Sequence, residues 1–275
     1  MMSSTPTIQE TLTRAKNDAM VTGNIKYLST AEAYDLWSEV YDTDGNFLQA
    51  LDTIEMRELL PSATQSLSPP SKNLKVVDLG CGTGRNTLQL LDIPEVAEVV
   101  GLELASKMMQ VAQSACEQKL ASTNLTGTKR VTFETYDMIA SQSVPPEAAI
   151  DADLVVSTLV LEHVPAHIFF KTCANLLKPG GVLLCTNMHA EMGGISQAGF
   201  VDPKTGDKIR PVSYAHSVDD VISTAKQTGL ELVDDVGVKE VAVDGNLAER
   251  LGQRGKKWIG TTVWFGGLWR KMPTG

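Results

Sequence analysis

The sequence predicts an α/β protein: a mostly parallel sheet with helices on both faces. Three observations carry this. Between residues 74 and 187, short apolar runs alternate with helical patterns, and each strand–helix–strand return implies a crossover that keeps neighbouring strands parallel. One run, Val76-Val77-Asp78-Leu79, passes straight into the glycine-rich turn Gly80-Cys81-Gly82-Thr83-Gly84. The chain has 275 residues, 43% of them hydrophobic, which suffices to cover a sheet on two sides.

Taken in order, the elements begin with a helical extension. Thr5 can cap a first helix, Pro6 suits its first position and Gly23 its end. Ser29 and Glu32 form a capping-box pattern opening a second helix that runs through Trp37 and Tyr41. Thr43-Asp44-Gly45-Asn46 reads as a turn. A third helix carries Phe47, Leu51, Ile54 and Leu59 and stops before Pro61, and residues 61–73 read as a linker. Residues 1–70 are thus expected to form a helical cap on a domain spanning 71–275. In that domain strands are expected at 74–79, 97–103, 131–136, 152–157 and 181–187, with helices after Gly84, Ser106 and Pro165. The turn signal Asp202-Pro203-Lys204-Thr205-Gly206-Asp207 predicts a hairpin inside an insertion, 190–216, on the substrate side. A helix at 217–227 and strands at 230–241 and 258–269 complete the chain.

The net charge of −9 disfavours a phosphate backbone as partner. The locally basic stretch with Arg250, Arg254, Lys256, Lys257, Arg270 and Lys271 reads as a solvated face. Cys81, Cys116, Cys173 and Cys185 form no CxxC pair, and no apolar run reaches the length of a membrane span. Free thiols in a reducing, cytoplasmic setting are the expectation.

The chemistry centres on the glycine turn. Glycines let a ligand approach the backbone closely, and the helix that follows offers unpaired N–H donors. A dinucleotide site would read GxGxxG, but its third glycine position holds Arg85. The glycines fall instead as GxGxG, with Asp78 two residues ahead. In this Asp78, Gly80, Gly82 and Gly84 resemble the first motif of class I S-adenosylmethionine-dependent methyltransferases. Val99-Val100-Gly101-Leu102-Glu103 ends in an acid about 20 residues beyond the loop, the place from which such folds grip ribose hydroxyls. Leu104 and Met108 follow as in the family, where a Met flanks the adenine; packed in the core is the other reading of Met108. Tyr136-Asp137-Met138 supplies an acid that in the family accepts from the adenine amino group. The segment from Ala152 through Thr158 to Leu161-Glu162-His163-Val164, and Leu177-Lys178-Pro179-Gly180-Gly181, resemble the ubiquinone and menaquinone biosynthesis branch.

The resemblance implies a Rossmann-like, seven-stranded sheet whose last strand, 258–269, is antiparallel. It implies S-adenosylmethionine as cofactor, S-adenosylhomocysteine as product, and Cys81 and Thr158 beside the cofactor with the glycines. Ala33-Tyr34-Asp35-Leu36-Trp37-Ser38-Glu39-Val40-Tyr41-Asp42 also resembles a segment of that branch whose helices cap the cofactor. Tyr34, Trp37 and Tyr41 share one helical face, and Tyr27 is a further contact candidate. Methyl transfer to a small-molecule acceptor, by in-line displacement at the sulfonium methyl, is the function implied. A peptide acceptor, a non-catalytic S-adenosylmethionine-binding regulator and an NAD-dependent oxidoreductase are the alternatives.

Of the histidines, His163 and His167 stand four apart, but Pro165 separates them and no third metal ligand is evident, so no metal site is expected. His189, after the fifth strand of the sheet, is the first choice for a general base and His163 the second; His216 stays open to either role.

Overall fold

The computed structural model describes residues 6–15, 25–67, 72–123 and 129–273. The proposed Thr5 cap, Gly23 stop and the centre of the 61–73 linker lie outside these. Helix α1 (Ile8–Ala15) opens the chain, with Thr7 and Glu10 exchanging the two bonds of a capping box. Strand β1 (Ile25–Tyr27) precedes α2 (Thr30–Trp37), which carries the Ser29–Glu32 capping box read from sequence. Helix α2 ends at Trp37, so Tyr41 follows in turns rather than on the helix itself. Asn46 caps α3 (Phe47–Gln65). Pro61 does not end this helix, which runs through it to Gln65. The ring faces solvent, while Leu59, Leu60 and Ala63 remain buried, so continued packing outweighs one lost backbone bond.

The sheet domain follows as β2 (Leu74–Leu79), α4 (Arg85–Leu90), β3 (Val96–Glu103), α5 (Ser106–Ser122), β4 (Arg130–Thr135), β5 (Ala152–Thr158), α6 (Ala166–Leu176) and β6 (Leu177–Met188). Then come α7 (Ala190–Gly193), β7 (Phe200–Val201), β8 (Lys208–Arg210), α8 (Val218–Gln227), β9 (Leu230–Leu232), β10 (Val238–Ala242), α9 (Gly245–Leu251), α10 (Gln253–Lys256) and β11 (Thr262–Lys271). The sheet order is β4-β3-β2-β5-β6-β11-β10, with β9 also on β11. Strands β4 to β6 are parallel, and β11 runs antiparallel to β6. This is the Rossmann-like α/β architecture with an antiparallel last strand. It has eight strands rather than seven, because the run expected as one strand over 230–241 breaks at Gly237, whose φ is +63°. The last strand starts at Thr262, later than the expected 258, and Trp258 instead stacks on Phe47 with centroids 5.7 Å apart.

Alternation along the strands builds the core on both faces. Val76, Val99 and Leu184 pack with α3 and Trp264, while Val77, Val100 and Leu183 pack with Phe169, Phe170 and Trp269 on the other side. Strand order reverses between β2 and β5, which opens a crevice at their carboxyl ends. Above it sits a small second sheet, β1-β8-β7. The expected hairpin β7–β8 is there, and β1 joins it in parallel, tying the N-terminal segment to the insertion. Among the described residues no helix is long and apolar enough to cross a membrane.

Candidate active site

The glycine turn leaves β2 at the crevice. Gly80 has φ +73°, and a Cβ there would lie 2.3 Å from Val160, so only glycine fits. Gly82 has φ +56° with nothing within 4 Å of where its Cβ would stand, which leaves the loop open on its ligand side. Asp78 lies behind the loop. Its buried carboxylate accepts from Thr87 Oγ1 at 2.6 Å, which ties β2 to the first turn of α4. Burial pushes this carboxyl up to about 6 against the pull of the Thr87 bond. Asp78 and the buried Cys81 therefore support the loop.

Glu103 ends β3 and faces the loop. Its Oε2 accepts the Gly82 N–H at 2.9 Å and its Oε1 the Ala105 N–H at 2.8 Å. Burial raises this carboxyl, and the N–H bonds only partly offset it. Asp137, just past β4, accepts the N–H groups of Ile139 and Ala140 at 2.9 and 3.2 Å. Both acids open on a cleft walled by Leu104, Met138 and Ile139 and, at the end of β5, by Thr158, Leu159 and Val160. Carboxylates for hydroxyl and amino donors, a loop open to close approach and an apolar slot suit an adenosyl group. Met108 is buried beneath, packed with Ala33 and Trp37. Tyr27 lies away from this cleft, exposed on the small sheet, 3.4 Å from Arg210 Nη1.

The aromatic face of the cap covers the crevice. Tyr34 and Trp37 have centroids 5.4 Å apart, Trp37 and Tyr41 5.2 Å, and Trp37 stacks on Phe200 of β7. Trp37 Nε1 donates to Asp44 rather than into the first cleft. The N-terminal helices are tied to the glycine turn and to the helices that follow β2 and β3: Thr83 Oγ1 donates to Asp42 at 2.9 Å, the Lys107 N–H of α5 to Asp35 at 2.8 Å, and Arg85 of α4 pairs with Asp52 at 2.5 Å. Behind the aromatics lies a second cleft, between α3, the insertion and α10. Tyr34, Tyr41 and Leu159 line both clefts. Leu159 holds φ +58°, a conformation that costs a branched residue about 1–2 kcal/mol and marks the junction as over-determined.

The histidines separate clearly. His163 is 5% exposed and lines the first cleft. Its Nδ1 faces the Val212 carbonyl at 2.8 Å, which only accepts, so the proton of the neutral ring sits on Nδ1. Nε2 is then free to accept from Tyr34 Oη at 2.8 Å, and lies 3.4 Å from Glu162 Oε1. Burial lowers the His163 pKa, but Glu162, the Val212 carbonyl and Glu103 together outweigh it and raise the value. Glu162 is 3% exposed and lines the second cleft, and its Oε2 has no hydrogen-bond partner among the described residues. His189 is placed elsewhere: it caps α7 by accepting the Glu191 N–H, its Nε2 lies 3.0 Å from Glu240, and it lines neither cleft. His216 is buried against the Leu161 and Val164 carbonyls, and desolvation lowers its pKa. His167 is exposed on α6, away from His163. Among the described residues no three His, Cys, Asp or Glu side chains converge as a metal site would need.

Several site residues escaped the sequence reading. Glu162 carries no sequence signal of its own beyond its place in a longer motif, and Asp52 none beyond a polar position on an amphipathic helix. Lys208, Arg254 and Lys257 come to one cleft only through folding.

Comparison with known proteins agrees with this geometry. A methyltransferase-domain family model matches residues 76–181. The chain is 45% identical over 284 residues to an uncharacterized methyltransferase of Emericella nidulans, covering 94% of this chain and 98% of that one. It is 33% identical over 124 residues to a ubiquinone biosynthesis O-methyltransferase of Cereibacter sphaeroides, a match covering 44% of this chain and 43% of that protein. Among solved structures, the fold is similar to an S-adenosylmethionine-dependent methyltransferase of Mesorhizobium loti (TM-score 0.53, 21% identity, 76% of this chain and 96% of that one). It is also similar to the cyclase SpnF (TM-score 0.60, 16% identity, 91% of this chain and 100% of that one). Loop, acids, sheet order and full-length relative converge: the chain belongs to the class I S-adenosylmethionine-dependent methyltransferases.

Proposed function

We propose that the chain methylates a small molecule held in the second cleft, with the cofactor in the first. The observation that carries this is the junction of the two clefts at Tyr34, Tyr41 and Leu159, with His163 on one side of it and Glu162 on the other. S-adenosylmethionine supplies an electrophilic methyl on a sulfonium. Glu103 binds the ribose hydroxyls, Asp137 the adenine amino group, and Leu104 and Met138 flank the ring. Gly80 and Gly82 admit the close approach, with Thr158 at the rim. Tyr34, Trp37 and Tyr41 exclude water and hold the acceptor in line, and alignment of this kind supplies much of the rate in such transfers. Where the acceptor arrives protonated, the neutral His163 takes its proton on Nε2, and Glu162 positions the ring and stabilises the positive charge that the ring gains. This role falls to His163 rather than His189 because His163 lines the first cleft and His189 lines neither of the two.

A basic peptide is a weaker reading of the acceptor, since three cations line the second cleft and repel lysine and arginine side chains. The fold by itself is compatible with other chemistry, as the cyclase neighbour illustrates. Four buried free thiols support a reducing, cytoplasmic place of work. Calorimetry with S-adenosylhomocysteine, S-adenosylmethionine and NAD, then S-adenosylhomocysteine release over a panel of phenols, amines and thiols, tests the proposal. Tight NAD binding without S-adenosylhomocysteine binding, or turnover only on peptides, overturns it.

A further inference from the structure

The mouth of the second cleft concentrates positive charge on a chain whose net charge is −9. Lys208 on β8 lines it together with Arg254 and Lys257 at α10. Their existing partners are weak acceptors or already engaged. Lys208 Nζ donates to the Gly199 carbonyl at 3.0 Å, and Lys257 Nζ sits 4.8 Å over the Trp258 ring. Arg254 Nη1 stands 3.9 Å from Asp44 Oδ2, but Asp44 also accepts from Trp37 Nε1 and from the Asn46 N–H, each at 2.9 Å. Burial, and then the neighbouring Arg210, Arg254 and Lys257, lower the Lys208 ammonium, with Asp44 opposing. Elsewhere on the small sheet the lysines are closely paired: Lys26 with Asp207 and Lys204 with Glu39, both at 2.6 Å.

The rest of the cleft complements this mouth. Phe47, Met188, Met192 and Trp258 give it apolar walls. Glu162, its Oε2 unpartnered, lies in the same cleft beside His163, which faces the cofactor cleft. Resting on the methyl-transfer reading, we infer that the acceptor is an amphipathic anion. Its acid group rests on Lys208, Arg254 and Lys257, its apolar body lies along Phe47 and Trp258, and its nucleophilic atom reaches Glu162 and His163. Cations held near apolar walls discriminate a charged ligand from its neutral twin, and salt weakens that discrimination.

Two dyes test the charge directly. 8-Anilinonaphthalene-1-sulfonate and N-phenyl-1-naphthylamine share one ring system and differ by the sulfonate. Trp37 and Trp258 line the cleft, so quenching of tryptophan fluorescence reads occupancy. The sulfonate dye should bind at least about tenfold more tightly than the neutral one, a preference that shrinks as sodium chloride rises. In the triple variant Lys208→Gln, Arg254→Gln, Lys257→Gln the two dyes should bind alike, while S-adenosylhomocysteine titrates as in the parent. Arg254 and Lys257 are exposed, so the double variant at these two carries the test if the triple variant does not fold. Turnover of a hydroxybenzoate, its amide and a hydroxyphenyl phosphate then separates a carboxylate from a phosphate as the acid group. Equal dye affinities in the parent, or a preference that survives in the variants, overturns the inference. Loss of S-adenosylhomocysteine binding in the parent, with the dye preference intact, overturns the methyl-transfer reading and leaves the anion site standing.

Discussion

Replacing Asp52 by Asn should destabilise the protein by about 3 kcal/mol while leaving its shape intact. Asp52 is fully buried on α3, and three donors from distant elements converge on it: Arg85 Nη2, Trp264 Nε1 and Thr186 Oγ1. An amide keeps one acceptor oxygen, which can serve Thr186 and Trp264 at the Oδ1 position. Its NH₂ then faces the guanidinium, so a charge-assisted bond becomes a donor–donor contact. Bonds to charged groups contribute about 1.5–3 kcal/mol, and breaking a buried pair costs about 3–5 kcal/mol. Arg85 keeps 20% side-chain exposure and its bonds to Thr53 and Thr158, which holds the loss near the middle of that span. With a urea m-value of about 3 kcal/mol/M, the midpoint should fall by about 1 M. Arg85→Gln in a double-mutant cycle should show about 2 kcal/mol of coupling to Asp52. A midpoint within about 0.2 M of the parent, or additive single effects, refutes the claim that this pair anchors the cap to the loop.

Glu103→Ala should weaken S-adenosylhomocysteine binding by about 1.5–3 kcal/mol, roughly 10- to 150-fold, in a calorimetric titration; an unchanged affinity in a folded variant places the ribose elsewhere. Asp78 carries a folded-state pKa of about 6 against an ordinary value of 3.8, so the native state holds the proton more tightly and stability declines as pH rises from about 4 to 6. That shift is about 3 kcal/mol, and Asp78→Asn should flatten this slope in urea titrations at pH 4.5 and 7.5, whereas a retained slope assigns it to other groups. Glu162→Gln removes a raising influence on His163, so the acid limb of kcat/KM should move to lower pH and the plateau should fall, and an unmoved limb separates the two residues. The same raised His163 pKa adds stability that is full below pH 6.5 and lost as pH rises through the folded value, so the variant should show less of this loss.

Much of the fold was legible because the sheet writes itself in local patterns. Val76 and Val77 point to opposite faces, and both faces are covered, so the strand reads as an unbroken apolar run. Gly80 and Gly82 announce a turn that other residues cannot make. The misreadings come from tertiary context. Pro61 signals a stop, yet its ring faces water while Leu60 and Ala63 hold the helix on the core. Strand β1 has three residues and no alternation to detect, and it exists because β8 offers it an edge. Residues 230–241 look like one strand, but Gly237 splits them into two that pair with opposite ends of β11.

The site divides along the same line, and the division has a physical cause. The side proposed for the cofactor is written in short motifs in chain order, because one β-α turn and two strand ends supply the loop, Glu103 and Asp137. The second cleft, proposed for the acceptor, is assembled from segments far apart: Glu162 after β5, Lys208 in the insertion, Arg254 and Lys257 at α10. No spacing rule links such residues, so each reads alone as an ordinary polar or surface group, and Arg254 and Lys257 read as a solvated face. The placing of His189 and His163 is hidden from the sequence for the same reason. Both follow strands of the sheet, but β6 extends to Met188 and delivers His189 to a surface pair with Glu240. Strand β5 ends at Thr158, and the strained Leu159 turns the chain back so that His163 faces the cleft and Tyr34. On the proposed function, acceptor specificity therefore resides in the N-terminal helices, the 190–216 segment and the C-terminal helices, which can change without disturbing the glycine turn.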